Sequence, residues 1–504
     1  MDILVNLAAG FSVAAQPSAL LACFVGVLLG TLIGVLPGLG PMAVISLLLP
    51  ITYHLSPVDA LVMLSGIFYG SQYGGSITSI LLNLPGEASS SVTCLDGHPM
   101  AKQGRGGVAL VMTTVASFVG ACFSIILLAT MAPLLVSFVK NFTDQQYFAL
   151  ILLGLVAAST MSVGSAAKGI VMVAVGVIFG LVGVDIDSGA ARFSYGRLEL
   201  LDGLNIAVVA MGLFGISEIL LNIGSNVDNT AISKRVGWRE LIPTRDDWKR
   251  SALPIGRGSF FGALIGVLPG AGATIASFFA YAVEKRSSKT PERFGKGAIE
   301  GVAAPEAANN AAAQASFIPT LALGIPGSAT MALMLGALMI QGIVPGPMVM
   351  VNYPDLFWGL LASFWIGNVL LVILNIPLVN VWILLLRVPY RIMFPTILFF
   401  VCLGAYTLKF SVFDVYCVLG FGLLGYFLRL LSFPVAPLLL GLVLGPMLEE
   451  HFRRSLLLAK GNLWTFFQNP VSATFLAIAA ALIVFSVISQ IRNRNKPRRE
   501  EEEV

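Results

Sequence analysis

Long apolar segments with very few charges dominate this sequence and restrict what it can fold into. No lysine or arginine occurs before Lys102, and apolar runs follow one another along almost the whole chain. A membrane crossing needs about 20 apolar residues, so such runs are typical of helices surrounded by lipid. Only 11% of the residues are charged and the mean hydropathy is +0.88, whereas a soluble domain carries about 25% charge. We therefore predict an all-α polytopic membrane protein.

Several of the apolar segments are too short to cross a bilayer alone, and several contain Gly or Pro at the middle or the end. Re-entrant or broken helices explain such fragments better than complete spans. We expect one bundle of about 10–12 transmembrane or half-spanning helices. The net charge of +4 is small and gives no indication of nucleic-acid binding.

An internal repeat is the strongest local pattern. Residues 30–40 (GTLIGVLPGLG) and 262–272 (GALIGVLPGAG) are identical at nine of eleven positions, 232 residues apart. Glycines spaced by four residues precede each copy and predict a face for close helix packing. Pro removes a backbone donor and Gly permits loop conformations, so each LPGxG is expected to break a helix. The predicted breaks are Pro37, Gly38 and Gly40 in the first copy and Pro269, Gly270 and Gly272 in the second.

A second pair of motifs follows, 241 residues apart. Residues 76–89 (SITSILLNLPGEAS) match residues 317–330 (FIPTLALGIPGSAT) at Pro-Gly. Paired broken helices in two halves are the sequence sign of a secondary transporter site near the bilayer midplane. Unwound backbone there offers carbonyls to a cation and helix N-termini to an anion. The residues at these breaks are Asn83, Pro85, Gly86, Glu87, Ser89, Ser90 and Ser91, and Pro326, Gly327, Ser328 and Thr330.

A polar stripe lies in the alanine-rich run at 305–317. Glu306, Asn310 and Gln314 are spaced by four residues on one helix face, with Asn309 beside them. A capped helix with a solvated polar face is one interpretation. A stripe that faces a substrate cavity is the other, because polar groups facing lipid are unfavourable. At the separation of 241, this stripe corresponds to the segment YGSQYGGS, which contains Tyr73, Gly74, Gly75 and Ser76.

Charge distribution suggests the division of the chain and its orientation. We predict a first membrane half at 1–231, a polar loop at 232–257, a second membrane half at 258–491 and a disordered tail at 492–504. Basic residues follow the last apolar run, which favours a cytoplasmic C-terminus. Basic loops flank the second copy of the break but not the first, which favours inverted repeats over parallel ones.

Enzyme motifs are weak in this sequence. Ser165 and Lys168 match SxxK, but the other motifs of that chemistry are absent. Neither a P-loop nor HExxH occurs, and the three histidines have no metal spacing. We expect no cofactor and no catalysis. The alternatives to a transporter are a gated channel for small anions and, least favoured, an intramembrane enzyme.

Several long segments resemble signatures of the large permease subunit of tripartite tricarboxylate transporters. They are GTLIGVLPGLGP, YGSQYGGSITSILLNLPGEASS, LDGHPMAKQGRGG, GVLPGAGAT, GVAAPEAANNAAA and LALGIPGSATMALMLGAL. The resemblance implies a bacterial inner-membrane permease that works with a small membrane subunit and a periplasmic solute-binding protein. It also implies import of a small carboxylate, such as citrate, driven by an ion gradient, commonly Na⁺.

The motifs that carry the resemblance coincide with the segments selected from the residues alone. Glu87, Glu306 and Gln314 are the candidate ion-coupling residues. No Arg or Lys lies within these motifs, so an anion would depend on backbone N–H groups, hydroxyls, amides and a bound cation. The predicted substrate contacts are Tyr73, Gly74, Gly75, Ser76, Asn83, Pro85, Gly86, Ser89, Ser90, Asn309, Asn310, Pro326, Gly327, Ser328 and Thr330.

Overall fold

The computed structural model is almost entirely helical, which confirms the predicted fold class. It describes residues 3–36, 40–161, 165–185, 188–222, 237–270, 272–385 and 390–494. The helices are α1 (Ile3–Ala14), α2 (Pro17–Val35), α3 (Pro41–Thr52), α4 (Pro57–Leu82), α5 (Thr93–Lys102), α6 (Gly106–Val139), α7 (Asp144–Thr160), α8 (Ala166–Gly180), α9 (Ile206–Ala210), α10 (Ser217–Asn222), α11 (Arg245–Gly266), α12 (Gly272–Ser287), α13 (Glu300–Ala315), α14 (Phe317–Leu323), α15 (Ala329–Ile340), α16 (Met348–Asn352), α17 (Pro354–Asn375), α18 (Val379–Leu385), α19 (Tyr390–Lys409), α20 (Val412–Leu430), α21 (Ala436–Leu458), α22 (Thr465–Gln468) and α23 (Pro470–Arg494).

Short elements connect these helices. The two strands β1 (Gly183–Val184) and β2 (Ala191–Arg192) pair antiparallel, with Gly183 opposite Arg192. A π-helical turn at Met211–Ile216 joins α9 to α10. The 3-10 turns are Ala88–Val92, Leu198–Leu200, Trp238–Leu241 and Pro291–Arg293.

Five helices in the described part of the chain are long and apolar enough to cross a bilayer. Shorter apolar helices accompany them, including α1, α3, α8 and α15, as the fragmented apolar segments predict. In the apolar segment of α23, only 11% of the residues are buried inside the protein, as expected for a helix that contacts lipid. The chain is a multi-pass membrane protein. The five long spans are Pro17–Val35, Gly106–Val139, Pro354–Asn375, Val412–Leu430 and Pro470–Ile488.

The chain folds into two compact units. The larger unit contains Met1–Lys140 and Asn205–Phe427, and the smaller contains Asn141–Leu204 and Leu428–Val504. These two units do not coincide with the halves predicted from the sequence. The predicted halves are units of sequence repetition, and they stay a prediction. Within the predicted polar loop at 232–257, the structure has a 3-10 turn at Trp238–Leu241 and begins α11 at Arg245. Residues 495–504 of the predicted tail lie outside the described residues.

In the larger unit, α2 packs against α4 through a face of glycines. Gly26, Gly30 and Gly34 lie against backbone carbonyl oxygens of α4, and none of these positions has room for a side chain. A Cβ added to Gly26 would lie 2.2 Å from the Met63 oxygen, and one added to Gly34 would lie 2.3 Å from the Ser71 oxygen. Both distances are far below van der Waals contact. The predicted packing face is therefore present.

The second glycine face packs in the same way, between α11 and α13. A Cβ at Gly258 would lie 2.2 Å from the Ala304 oxygen, and a Cβ at Gly262 would lie 2.4 Å from the Ala308 oxygen. These two contacted alanines lie 241 positions after the α4 residues Met63 and Ile67. The sequence repetition is thus accompanied by two equivalent helix pairs.

The smaller unit packs α8 against α21 and α7 against α23. Asp185 forms ion pairs with Arg192 and with Arg453, whose Nη1 lies 2.7 Å from its Oδ2. His451 Nδ1 lies 2.8 Å from Asp144 Oδ1 on α7. Asp185 is buried, and its ion pairs connect it to other residues of the same unit.

Candidate functional site

The described residues of the predicted site all belong to the larger unit, where helices end at each predicted break. In the first half, α2 ends at Val35 and α3 begins at Pro41, with Gly40 at its N-cap. Pro37 and Gly38 lie outside the described residues. A Cβ at Gly86 would lie 2.3 Å from the Gly34 oxygen and 2.6 Å from the Gly75 Cα. The second motif of this half therefore packs onto the first.

The corresponding motifs of the second half also contact each other. The Gly270 N–H donates to the Gly327 carbonyl at 2.9 Å. Gly270 and Gly272 have φ of +82° and +62°, which disfavours most other residues there. A Cβ at Gly327 would lie 3.0 Å from the Ser316 side chain. In each half, the glycines let two backbone segments approach closely.

The breaks at Asn83 and Gly324 have the same termination geometry. Asn83 has φ of +57° and Gly324 has φ of +73°, and both cap their helices in the left-handed region. The following N–H groups of Leu84 and Ile325 donate back to carbonyls in the last turn. Asn and Gly are the residues that adopt this conformation most readily. Asn83 is exposed and caps α4, and its predicted substrate contact stays a prediction.

One hydrogen-bond network is centred on Glu87, whose Oε1 is buried. The Gln72 amide donates to Glu87 Oε2 at 2.7 Å, and Ser89 Oγ donates to Gln72 Oε1 at 3.0 Å. Ser90 Oγ donates to the Glu87 carbonyl at 2.9 Å. The hydroxyl of Ser277, on α12, donates to the Ser89 carbonyl at 2.9 Å. The second half of the chain therefore contacts this network, which we call the Glu87 network (Gln72, Glu87, Ser89, Ser90).

A second network is centred on Glu306. The hydroxyl of Thr93 on α5 donates to Oε1, and that of Ser117 on α6 donates to Oε2 at 3.5 Å. Asn310 Nδ2 donates to Ser117 Oγ at 2.7 Å. We call this set the Glu306 network (Thr93, Ser117, Glu306, Asn310). Its carboxylate comes from the second half of the chain and its two hydroxyls from the first.

The polar stripe of α13 is fully buried. Glu306, Asn309, Asn310 and Gln314 are each 1% exposed, which excludes the interpretation of a solvated face. Within the described residues, both side-chain polar atoms of Asn309 and of Gln314 lack a hydrogen-bond partner, and so does Asn310 Oδ1. An unsatisfied buried polar atom costs about 1–3 kcal/mol. A bound ligand would satisfy these atoms.

The remaining predicted residues have mainly backbone or packing roles. Ser76 Oγ donates to the Tyr73 carbonyl, and Gly74 packs against α2. Ser328 caps α15 by accepting from the Met331 N–H at 3.3 Å. Pro85 is exposed, whereas Pro326 and Thr330 are buried.

Five polar residues of this region are not among the candidates predicted from sequence: Gln72, Thr93, Ser117, Ser277 and Asn368. Gln72 lies inside the YGSQYGGS motif, next to the positions that the repeat selects. Ser117 and Asn368 each lie within a long apolar span. A polar side chain in such a span is itself a signal. Tyr73 Oη donates to Asn368 Oδ1 at 3.1 Å, which connects α4 to α17.

Asp96 is a buried anchor, although the polar composition of its segment LDGHPMAKQGRGG is typical of a loop. It lies on α5 and its Oδ1 accepts the N–H groups of Gly295, Gly297 and Ala298 at 2.8–2.9 Å. Tyr281 Oη donates to its Oδ2 at 3.0 Å. Charge-assisted bonds of this kind are about twice as strong as neutral ones. They hold the connection that enters α13 and so position the polar stripe.

Electrostatically, neither network contains a cationic side chain. The ion pairs of the described residues include none to Glu87 or Glu306. The described residues also contain no cluster of three or more His, Cys, Asp or Glu that could hold a metal ion. The site therefore offers amides, hydroxyls, backbone groups and two carboxylates. Such donors suit a small polar solute and a hard monovalent cation better than a transition metal.

Comparison with known proteins identifies the family. The model of the tripartite tricarboxylate transporter TctA family matches residues 20–440. A protein of Agrobacterium vitis, described as "Uncharacterized 52.8 kDa protein in TAR-I ttuC' 3'region", is 50% identical over 494 residues, covering 98% of each chain. Another A. vitis protein, "Uncharacterized protein in TAR-II ttuC' 3'region", is 52% identical over 233 residues, covering 46% of this chain and 96% of its own. No solved structure matches. The chain therefore belongs to the TctA family of tripartite tricarboxylate transporters.

Proposed function

We propose that this chain is the large permease subunit of a binding-protein-dependent secondary transporter that imports a small carboxylate, driven by an ion gradient. Family membership supports transport in general, and the solute, ion and partners belong to the proposal. The partners are a small membrane subunit and a periplasmic solute-binding protein. The location is the bacterial inner membrane, with the C-terminus in the cytoplasm.

One observation supports a transport site above all others. The Glu306 network is assembled from the two halves of the chain, through Thr93 and Glu306, and Ser277 of the second half donates to Ser89 of the Glu87 network. Unpartnered amides of α13 lie beside the Glu306 network. A polar site between two repeats, bounded by broken helices, is the arrangement expected for alternating access. The equivalent packing of α2 on α4 and of α11 on α13 supports two structural repeats.

The charges of the site support ion coupling. A carboxylate substrate would approach the carboxyl groups of Glu87 and Glu306, with no cationic side chain in either network. Like charges in a medium of low dielectric constant repel strongly. A bound Na⁺, or a proton on a carboxyl group, removes this repulsion. The substrate and a cation would therefore stabilise each other's binding, which is the requirement for symport.

Transport in proteoliposomes tests the proposal. The vesicles contain this chain and its small subunit, with the binding protein outside and an inward Na⁺ gradient imposed or omitted. Labelled citrate, isocitrate, malate, succinate and glutamate form the panel. Saturable uptake of one compound, stimulated by the gradient, is the expected result.

Two outcomes would count against this function. Uptake that does not saturate and ignores both Na⁺ and proton gradients would indicate a channel. Chemical conversion of the solute during counterflow would indicate an enzyme. Counterflow of unmodified labelled solute excludes the enzyme and disfavours the channel.

A further inference from the structure

We propose that Asn368 of α17 is an additional ligand of the substrate and donates hydrogen bonds to a carboxylate oxygen. The inference rests on the proposed function and extends its site to a helix outside the repeated motifs. Asn368 lies within the apolar span Pro354–Asn375, where a polar side chain is energetically unfavourable unless it binds a polar partner or a ligand.

The surroundings of Asn368 leave half of its amide unsatisfied. The side chain is 0% exposed, and its Oδ1 accepts from Tyr73 Oη at 3.1 Å. Its Nδ2 has no hydrogen-bond partner among the described residues. Two N–H donors are therefore buried without an acceptor, although most buried polar atoms have one. An anionic oxygen would be a suitable acceptor for these N–H groups. Within the described part of the chain, the site has no cationic side chain that could bind such an oxygen instead.

Tyr73 and its neighbours fix the direction of this amide. A Cβ at Gly367 would lie 2.1 Å from Tyr69 Oη, so α17 approaches α4 closely at the residue next to Asn368. Tyr69 and Tyr73 are both fully buried and lie one helical turn apart on α4. Since the Tyr73 hydroxyl occupies the amide oxygen, the amide nitrogen is left to face a ligand. The contact also brings Asn368 to the helix that carries the YGGS motif.

Asn375 provides a matched control on the same helix. It is also an asparagine, it is 5% exposed, and it lies about two turns further along α17. Its Nδ2 donates to the Leu371 carbonyl at 2.8 Å, so its donor group is occupied within its own helix. A substitution there changes the polarity of α17 but removes an amide nitrogen that already has an acceptor.

The test measures substrate affinity of Asn368→Asp and Asn375→Asp. The probes are the member of the uptake panel with the highest wild-type rate, citrate being tried first, and each of its monomethyl esters. We expect Asn368→Asp to weaken binding of the free acid by about tenfold or more, as loss of a hydrogen bond to a charged group does. The loss should be smaller for the ester that removes the contacted carboxylate. Asn375→Asp should bind all of these probes as the wild type does.

A second substitution protects the test against misfolding. Asn368→Leu keeps a similar size and adds no charge, so it carries the same expectation if the aspartate variant is not inserted. Wild-type affinity in either correctly inserted variant would overturn the assignment. So would equal losses for the acid and for every monoester, since these would show a packing role. If the wild type takes up no compound of the panel, the proposed function fails and this inference fails with it.

Discussion

At the scale of single residues, the candidate site contains polar groups that are buried and form no ion pair among the described residues. Glu306 accepts from Thr93 and Ser117, whereas buried Glu284 forms a bidentate pair with Arg257 at 2.6 and 2.9 Å. The pair of Arg257 and Glu284 connects α11 to α12, and the guanidinium compensates the charge of that carboxylate. Glu306 has no such partner, and a carboxyl group buried in this way is expected to bind a proton or a cation.

The first prediction concerns Glu306→Gln, which keeps the shape of the side chain and removes its charge. We expect the ion gradient to stop stimulating uptake, while exchange of labelled for unlabelled solute continues, because the permanently neutral side chain no longer needs a cation. Gradient-driven uptake and counterflow are measured in the same vesicles. Glu292→Gln, at an exposed position, is the control and should behave as the wild type. Normal gradient stimulation in Glu306→Gln would assign coupling to another group.

At the scale of helices, the glycine faces decide which elements can pack. Gly262 leaves room for the backbone of Ala308, as Gly30 does for the backbone of Ile67. Membrane helices gain little from apolar burial against each other, because lipid is equally apolar, so close backbone packing is what holds such pairs together. The same contacts position α13 and therefore its polar stripe.

The second prediction compares Gly262→Val with Gly256→Val on α11. A Cβ at Gly262 would lie 2.4 Å from the Ala308 oxygen, whereas a Cβ at Gly256 would meet nothing within 4 Å. Gly262→Val should destabilise the fold by roughly 1–3 kcal/mol or more, through overpacking. Gly256→Val should have little effect. Thermal unfolding and membrane abundance measure the difference, and equal stability of the two variants would contradict the described packing of α11 on α13.

At the scale of the whole molecule, the repeat has its main consequence for orientation in the membrane. Inverted repeats place the loop between α3 and α4 and the loop between α12 and α13 on opposite sides. The second of these loops is rich in Lys and Arg and the first has neither, which agrees with a cytoplasmic location of the second.

The third prediction tests this arrangement with an impermeant thiol reagent. Tyr53→Cys and Lys296→Cys introduce cysteines at exposed positions of the two loops. The background variant replaces the native cysteines at 23, 94, 122, 402 and 417. In intact spheroplasts, only the cysteine at 53 should be labelled, and in inside-out vesicles only the one at 296. Labelling of both from the same side would favour parallel repeats.

The class of fold, the helix breaks and the polar stripe of α13 can all be predicted from the order of residues alone. Hydropathy indicates whether lipid or water surrounds a segment, and Pro and Gly act on the backbone locally. Membrane helices and helix breaks can therefore be predicted without a structure. The stripe of α13 follows from the helical period.

Only the tertiary structure decided which side chains meet. Thr93 and Ser117 contact Glu306 across about 200 positions of sequence, and Tyr73 contacts Asn368 across 295. No repeat or motif encodes these distances, because they depend on how helices cross. The same crossings bury Asp96 against the connection between α12 and α13. Burial, which distinguishes a binding stripe from a solvated face, is a property of the packed helices and not of α13 alone.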